Sequence, residues 1–209
     1  MIDTRLKILD AAERLFGEEG YRAVSLRHVT ASAGVNLAAI HYYFGSKEEL
    51  LDELVMRKVA PVNEERMEWL RRLREEAGPN PVAVEDLLGA FLLPALHTAE
   101  KSPEFAKLMG RLHAEGLMPA VARKHFGPVA ERFLAEMRMA LPDLTEDELA
   151  WRIHFMIGAM AHTLCAPPLA LAGRTEPEPP SAVGRRIVTF LSGGFRAPVA
   201  AREKVEVSE

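Results

Sequence analysis

Apolar residues near the start of the chain recur with helical spacing. Ile8, Ala12, Leu15 and Phe16 fall at i, i+4, i+7 and i+8, one stripe of an amphipathic helix. The stripe predicts helix over 4–19, with Gly20 as its left-handed stop. Ser25 stands where it can cap a short helix over 26–32. Ala33, Gly34 and Val35 make a tight turn, and Asn36 can cap a third helix, "LAAIHYY", over 37–43, which Gly45 closes. Ser46 with Glu49 three residues on is a capping box. It opens a long fourth helix whose pattern continues to Glu76, with a kink or break expected near Ala60 because Pro61 follows.

Prolines mark several later helix starts. Pro81, Pro103, Pro119 and Pro128 suit first-turn positions, where a missing N–H costs nothing, and Ser102 precedes one of them as a cap. Thr145 with Glu148 is a further capping box, opening a helix over 146–165. "PPLALAGRTEPEPPS" reads as a loop, and a last helix is expected over 182–195, ending at Gly193-Gly194. No period-2 run and no Asn-Gly or Asp-Gly hairpin signal breaks this pattern. The expected fold is all-α, with about nine helices. Residues 1–47 would form a three-helix, helix-turn-helix domain and 48–200 a larger helical bundle. Residues 201–209 would be a flexible, charged tail.

Composition narrows the function. The 209 residues carry a net charge of −4, so any nucleic-acid contact must come from a local patch. Cys165 is the single cysteine, which excludes an intrachain disulfide and suits a reducing cytoplasm. The start of the chain has no signal-peptide core. Phe155 to Gly173 is 19 residues without a formal charge, but His162 and Thr163 interrupt it and Pro167 and Pro168 cut it. A helix buried on most sides explains it better than a membrane span.

One local patch does exist. From Gly20 to Lys47 there are Arg22, Arg27 and Lys47 and no acid, a local charge of +3 inside an acidic protein. The third helix, about 10 Å long at about 1.5 Å per residue, fits a major groove about 12 Å wide. Leu37, Ala38 and Ala39 are short enough to let its backbone approach base edges. His41 can hydrogen-bond or stack, and Tyr42 and Tyr43 can give hydroxyls to phosphates. Ile40 and Phe44 would face inward. Lys47, in the first turn of helix 4, and Ser25 and Arg27, at the start of helix 2, sit where free N–H groups favour an anion. Asn36 completes the set. Taken singly, each of these residues is also compatible with plain packing or a solvated surface.

Order and spacing go further than single residues. "ILDAAERLFGEEGYRAVSLRHVTASAGVNLAAIHYYFGSKEEL" resembles the N-terminal domain of the TetR family of bacterial transcriptional regulators. Tyr43 stands where that family commonly has histidine, and His41 where it commonly has tyrosine. The resemblance covers about a quarter of the chain. It implies a homodimeric, ligand-responsive repressor that binds an inverted-repeat operator in double-stranded DNA. A C-terminal helical domain would bind a small effector and thereby release the DNA.

The remaining residues bear on that implication. Ile153, Ile157, Met160 and Leu164 on one helix, and Val183, Ile187, Phe190 and Leu191 on the last, form stripes that can pack against a twin pair. A thick monomer core is the alternative. Met67, Phe91, Phe105, Met109, His113, Phe126, Phe133 and Met137 are candidates for the lining of an effector pocket, and methionine's adaptability suits a hydrophobic effector. Plain core is the alternative here too. The sequence shows no nucleophile elbow, phosphate loop or His-Glu-x-x-His motif. We therefore expect no catalytic residue, metal, cofactor or membrane partner. A ligand-binding or interaction module that no longer binds DNA is the remaining class.

Overall fold

The computed structural model describes residues 3–165, 178 and 180–199. These form helices and no strand. Ten helices follow one another: α1 (Thr4–Glu19), α2 (Leu26–Ala33), α3 (Leu37–Tyr43), α4 (Lys47–Ala77), α5 (Val84–Lys101), α6 (Pro103–Ala114), α7 (Met118–His125), α8 (Gly127–Ala140), α9 (Glu146–Cys165) and α10 (Pro180–Arg196). The count is one more than the expected nine, and α7 and α8 are separate helices meeting at Phe126, as Pro119 and Pro128 predict. No helix among the described residues is long and apolar enough to cross a membrane. Most of the expected loop over 167–181 and the expected tail over 201–209 lie outside the described residues.

Caps set the early boundaries. Asp3 accepts from the Arg5 N–H, Ser25 from His28 and Asn36 from Ala39. The capping box of α4 is complete: Ser46 Oγ accepts from the Glu49 N–H and Glu49 Oε2 from the Ser46 N–H, both at 3.0 Å. Each satisfies an N–H that the first helical turn leaves without a partner.

Three expectations about helix ends are corrected. First, α4 does not break near Ala60; it runs through Pro61 to Ala77. Pro61 lies on an exposed face, as does Arg57 one turn before it, whose carbonyl loses its usual donor. The opposite face, with Val55, Val59, Val62, Arg66 and Leu70, is buried, and tertiary packing carries the helix past the proline. Second, α10 ends at Arg196, one residue beyond the expected 195, so the helix carries on past the glycine pair rather than closing on it. The buried Arg152 side chain holds that end, donating to the carbonyls of Gly194, Phe195 and Ala197 and pairing with Glu148. Third, Pro81 precedes α5 rather than opening it, while Pro103, Pro119 and Pro128 do lie in first turns.

Two apolar cores organise the chain. The first joins α1–α3 to the first half of α4 and to α6, with Ile8, Phe16, Val29, Ile40, Leu50, Leu54 and Leu108 fully buried. The second gathers the far part of α4 with α5, α8, α9 and α10 around Leu87, Leu88, Leu92 and Phe195. Residue 47, the boundary expected from sequence, is where α4 starts. Packing continues across it, because α4 contributes to both cores.

Candidate nucleic-acid interface and internal cavity

The α2–α3 unit is a helix-turn-helix. Gly34 takes φ +67° and its N–H closes α2 on Thr30 and Ala31, a left-handed cap that glycine adopts without strain. The next N–H, of Val35, bonds the Thr30 carbonyl at 3.0 Å. These bonds fix where α3 leaves the turn. Ile40 and Phe44 anchor α3 in the first core, as their spacing predicts. Asn36, Ala38, His41, Tyr42 and Tyr43 are exposed, and Leu37 and Ala39 half-buried. Tyr42 is 82% exposed and meets Tyr43 edge-on at 5.0 Å between ring centroids.

His41 has a defined ring orientation. Its Nδ1 lies 3.0 Å from the Gly45 carbonyl oxygen. A carbonyl only accepts, so this bond places the proton on Nδ1 and leaves Nε2 as an acceptor in the neutral ring.

The three cations differ in freedom. Arg27 is exposed beside the Ser25 cap. Arg22 instead reaches back to α6, its backbone N–H donating to Glu115 Oε2 at 3.0 Å and its guanidinium to the Glu115 carbonyl at 3.2 Å. Lys47 is half-buried. Its ammonium donates to the Tyr21 carbonyl at 2.5 Å and sits 4.3 Å from the Tyr21 ring centroid. Burial pulls the Lys47 pKa down, against the opposing pull of Glu48 and Glu115. Burial, followed by Glu48 and Glu115, pushes the Tyr21 phenol up to about 12. Lys47 therefore braces the turn between α1 and α2, with two of its three N–H donors left over.

Behind this head lies a partly open apolar cavity of about 390 Å³, within the size range of small-molecule sites. Its wall takes Val59, Val62 and Arg66 from α4, Phe105, Met109 and His113 from α6, and Met118 and Ala122 from α7. Phe126 and, from α9, Ile157, Met160 and Leu164 complete it. A wider depression of about 690 Å³ between α4, α5 and α10 is more open and is lined partly by Arg72, Glu76, Glu85, Asp86 and Arg185, so it encloses a ligand less well.

Of the residues expected to line a pocket, Phe105, Met109, His113 and Phe126 do so. Met67, Phe91, Phe133 and Met137 belong to the second core instead, where Phe91 and Phe133 meet edge-on at 5.1 Å. Arg66 was missed. It is 1% exposed, donating through Nε to the Phe91 carbonyl at 2.8 Å and through Nη1 to Asn63 Oδ1 at 3.2 Å. The signal was present: an arginine continues the apolar stripe of Val55, Val59 and Val62.

The cavity and the head share α6. A Cβ built on Gly17 of α1 would stand 3.3 Å from Lys107 Cβ, so the two helices touch backbone to side chain. Arg111 donates to the carbonyls of Gly17 and Glu18 at the end of α1.

The residues expected at a dimer interface lie in different surroundings. Ile187 and Leu191 face the chain's own core, and Met160 and Leu164 turn to the cavity. Ile153 and Val183 are half-buried. On α9 and α10 the exposed large apolar side chains are Trp151, Phe155, Ile157 and Phe190, the last 76% exposed. A Cβ added at Gly158, Gly193 or Gly194 would meet nothing within 4 Å.

Comparison with known proteins agrees with this architecture. Residues 8–54 match the family model for bacterial regulatory proteins of the tetR family, and residues 89–194 the one for tetracyclin repressor-like C-terminal domains. The HTH-type transcriptional regulator BetI of Rhizobium meliloti is 47% identical over 47 residues, 22% of this chain and 23% of that protein. BetI of Agrobacterium fabrum is 25% identical over 80% of this chain and 81% of its own length. The chain is thus matched to the first of these relatives over only about a quarter of that protein's length. Among solved structures, PfmR of Thermus thermophilus superposes with a TM-score of 0.59 at 20% identity, covering 88% of this chain and 96% of that one. Bacillus subtilis FadR in complex with stearoyl-CoA gives 0.56 at 16% identity, covering 90% and 98%. These two similarities concern the fold.

Proposed function

Because the chain belongs to the TetR family of bacterial regulatory proteins, we propose that it is a homodimeric transcriptional repressor released from its operator by a small apolar effector. The family is one of regulators rather than enzymes. The observation that carries the DNA-binding part is the outer surface of α3. Asn36, Ala38, His41 and Tyr42 are exposed together, on a helix anchored by Ile40 and Phe44. No acid lies between Gly20 and Lys47.

In this reading α3 enters the major groove N-terminus first. Ala38 allows the backbone near base edges, and His41, with Nδ1 held by the Gly45 carbonyl, turns Nε2 toward the base edges. Tyr42, Arg27 and the Ser25 cap contact phosphates, with Tyr43 and the spare donors of Lys47 beside them. Two heads related by a two-fold axis would sit roughly 34–36 Å apart, or a multiple of it.

A mobility-shift titration with the duplex upstream of the coding region tests the reading, and two variants separate the roles. Lys47→Ala weakens binding to every sequence and lowers the salt slope by about one. His41→Ala leaves that slope alone and broadens the sequence preference. An unchanged slope for Lys47→Ala makes the lysine a brace only.

The two-fold axis is assigned to the exposed apolar surface of α9 and α10. Phe155 and Phe190 are its large anchors, and the bare glycines let a second copy come close. Phe155→Asp with Phe190→Asp should give a monomer by sedimentation at micromolar concentration, because two uncompensated charges would be buried. A variant that remains dimeric would place the interface elsewhere.

Release follows from what the cavity touches. The α6 face that carries Phe105, Met109 and His113 is one side of a helix whose other side grips α1 and Arg22. A ligand that favours a different seat for α6, or a different tilt of α4, repositions the head. It shifts the equilibrium only by its preference for one state over the other.

A further inference from the structure

The cavity wall holds a charge that no acid among the described residues neutralises. The guanidinium of Arg66 has five N–H donors. Two reach oxygen, on Phe91 and Asn63. Nη2 meets only the thioether sulfur of Met160, at 3.9 Å, a weak acceptor. No carboxylate among the described residues pairs with it, and burial alone draws its pKa down to about 10. The rings of Phe91 and Phe126 lie 4.1 and 5.7 Å from its central carbon, which offsets part of the cost of an unpaired buried cation.

The second buried arginine shows what a purely structural role looks like here. Arg152 has Glu148 at 2.7 Å and three backbone carbonyls. Arg66 has no acid among the described residues, although α4 is rich in them. A charge kept on an otherwise apolar wall, with donors left over, matches a ligand that brings its own anion.

We propose that the cavity binds an apolar monocarboxylate. The carboxylate meets the Arg66 guanidinium, and the hydrocarbon body lies among Val59, Val62, Phe105 and Met109. At about 30 Å³ for each water-sized group, the cavity's 390 Å³ holds a body of about a dozen non-hydrogen atoms. This deepens the reading of the chain as an effector-released regulator and rests on it for the consequence of binding, though not for binding itself.

Calorimetric titration of the full chain with decanoate, 1-decanol and decyltrimethylammonium tests the assignment. Decanoate should bind about 10- to 100-fold more tightly than decanol, the range expected for hydrogen bonds to a charged group, and the cation should not bind. Arg66→Met keeps the volume and should equalise acid and alcohol. Arg66→Lys, which keeps the charge without the fork, should retain part of the preference. Retained decanol binding shows that the variants still form the cavity.

Decanol binding as tightly as decanoate overturns the proposal, as does an acid preference that survives in Arg66→Met. So does the failure of every probe to bind. Decanoyl-CoA binding more tightly than decanoate in both the native chain and Arg66→Met would overturn it in favour of thioesters. Titration of the bound duplex separates the two readings. Decanoate that binds through Arg66 and leaves DNA affinity unchanged keeps the anion site and sinks the effector reading. Decanol that releases DNA as well as decanoate does the reverse.

Discussion

Ala38→Glu is expected to abolish specific DNA binding while leaving the fold intact. Ala38 is exposed and is the second residue of α3, whose free N–H groups favour an acid by about 0.3–1 kcal/mol. Glutamate is also a good helix former. The thermal midpoint should therefore hardly move. On the duplex the same carboxylate would face base edges and phosphates. Like charges brought together at an interface cost several kcal/mol, and each 1.4 kcal/mol is tenfold in affinity. The loss should reach roughly a hundredfold or more, read by fluorescence anisotropy. Ala38→Lys, equally exposed, should keep or raise non-specific binding. If Ala38→Glu bound DNA as the native chain does, α3 would not be the element in the groove.

Phe16→Ala is expected to have the largest effect on stability. Phe16 is fully buried in the first core, edge-on to Tyr21 at 5.3 Å, with the Lys47 ammonium 5.8 Å from its ring centroid. Truncating a buried phenylalanine costs about 3–5 kcal/mol, against a net stability of about 5–15 kcal/mol for a whole domain. At about 2–4 °C per kcal/mol for a chain of this size, calorimetry should show the midpoint falling by roughly 6–20 °C. DNA binding should weaken as well, because α3 is seated in the same core through Ile40 and Phe44. A shift of only about a degree would mean that the head can repack around the gap, contrary to the tight packing assumed in that range.

The head was legible in the sequence because its rules are local. Caps at Ser25, Asn36 and Ser46, the left-handed glycines and short apolar stripes each depend on residues within one or two turns. The spans of α1 and α3 follow from them without tertiary information. Pro61 misled for the opposite reason. A proline's local cost is fixed, but whether it breaks a helix depends on what holds the two sides, and that is the buried face of α4 against distant elements. The glycine pair of α10 misled likewise, since Arg152 from another helix secures the end beyond it.

The cavity was half legible. Phe105, Met109, His113 and Phe126 line it, whereas Phe91, Phe133 and Met137 have the same chemistry and fill the second core. Apolar character alone does not distinguish a wall with empty space in front of it from one without. Arg66 was the more specific clue, a cation in phase with Val55, Val59 and Val62. Its meaning depends on the absence of a nearby acid, which requires the fold. The same holds for α10, where Phe190 projects outward while Ile187 and Leu191 turn in.

Selection of bound duplexes from a random pool asks whether α3 reads a DNA sequence. The expected outcome is an inverted repeat whose half-sites are centred about one helical turn apart, or a multiple of it, with enrichment lost in Ala38→Glu. Recovery of no common sequence at low salt, or enrichment that persists unchanged in Ala38→Glu, would contradict it.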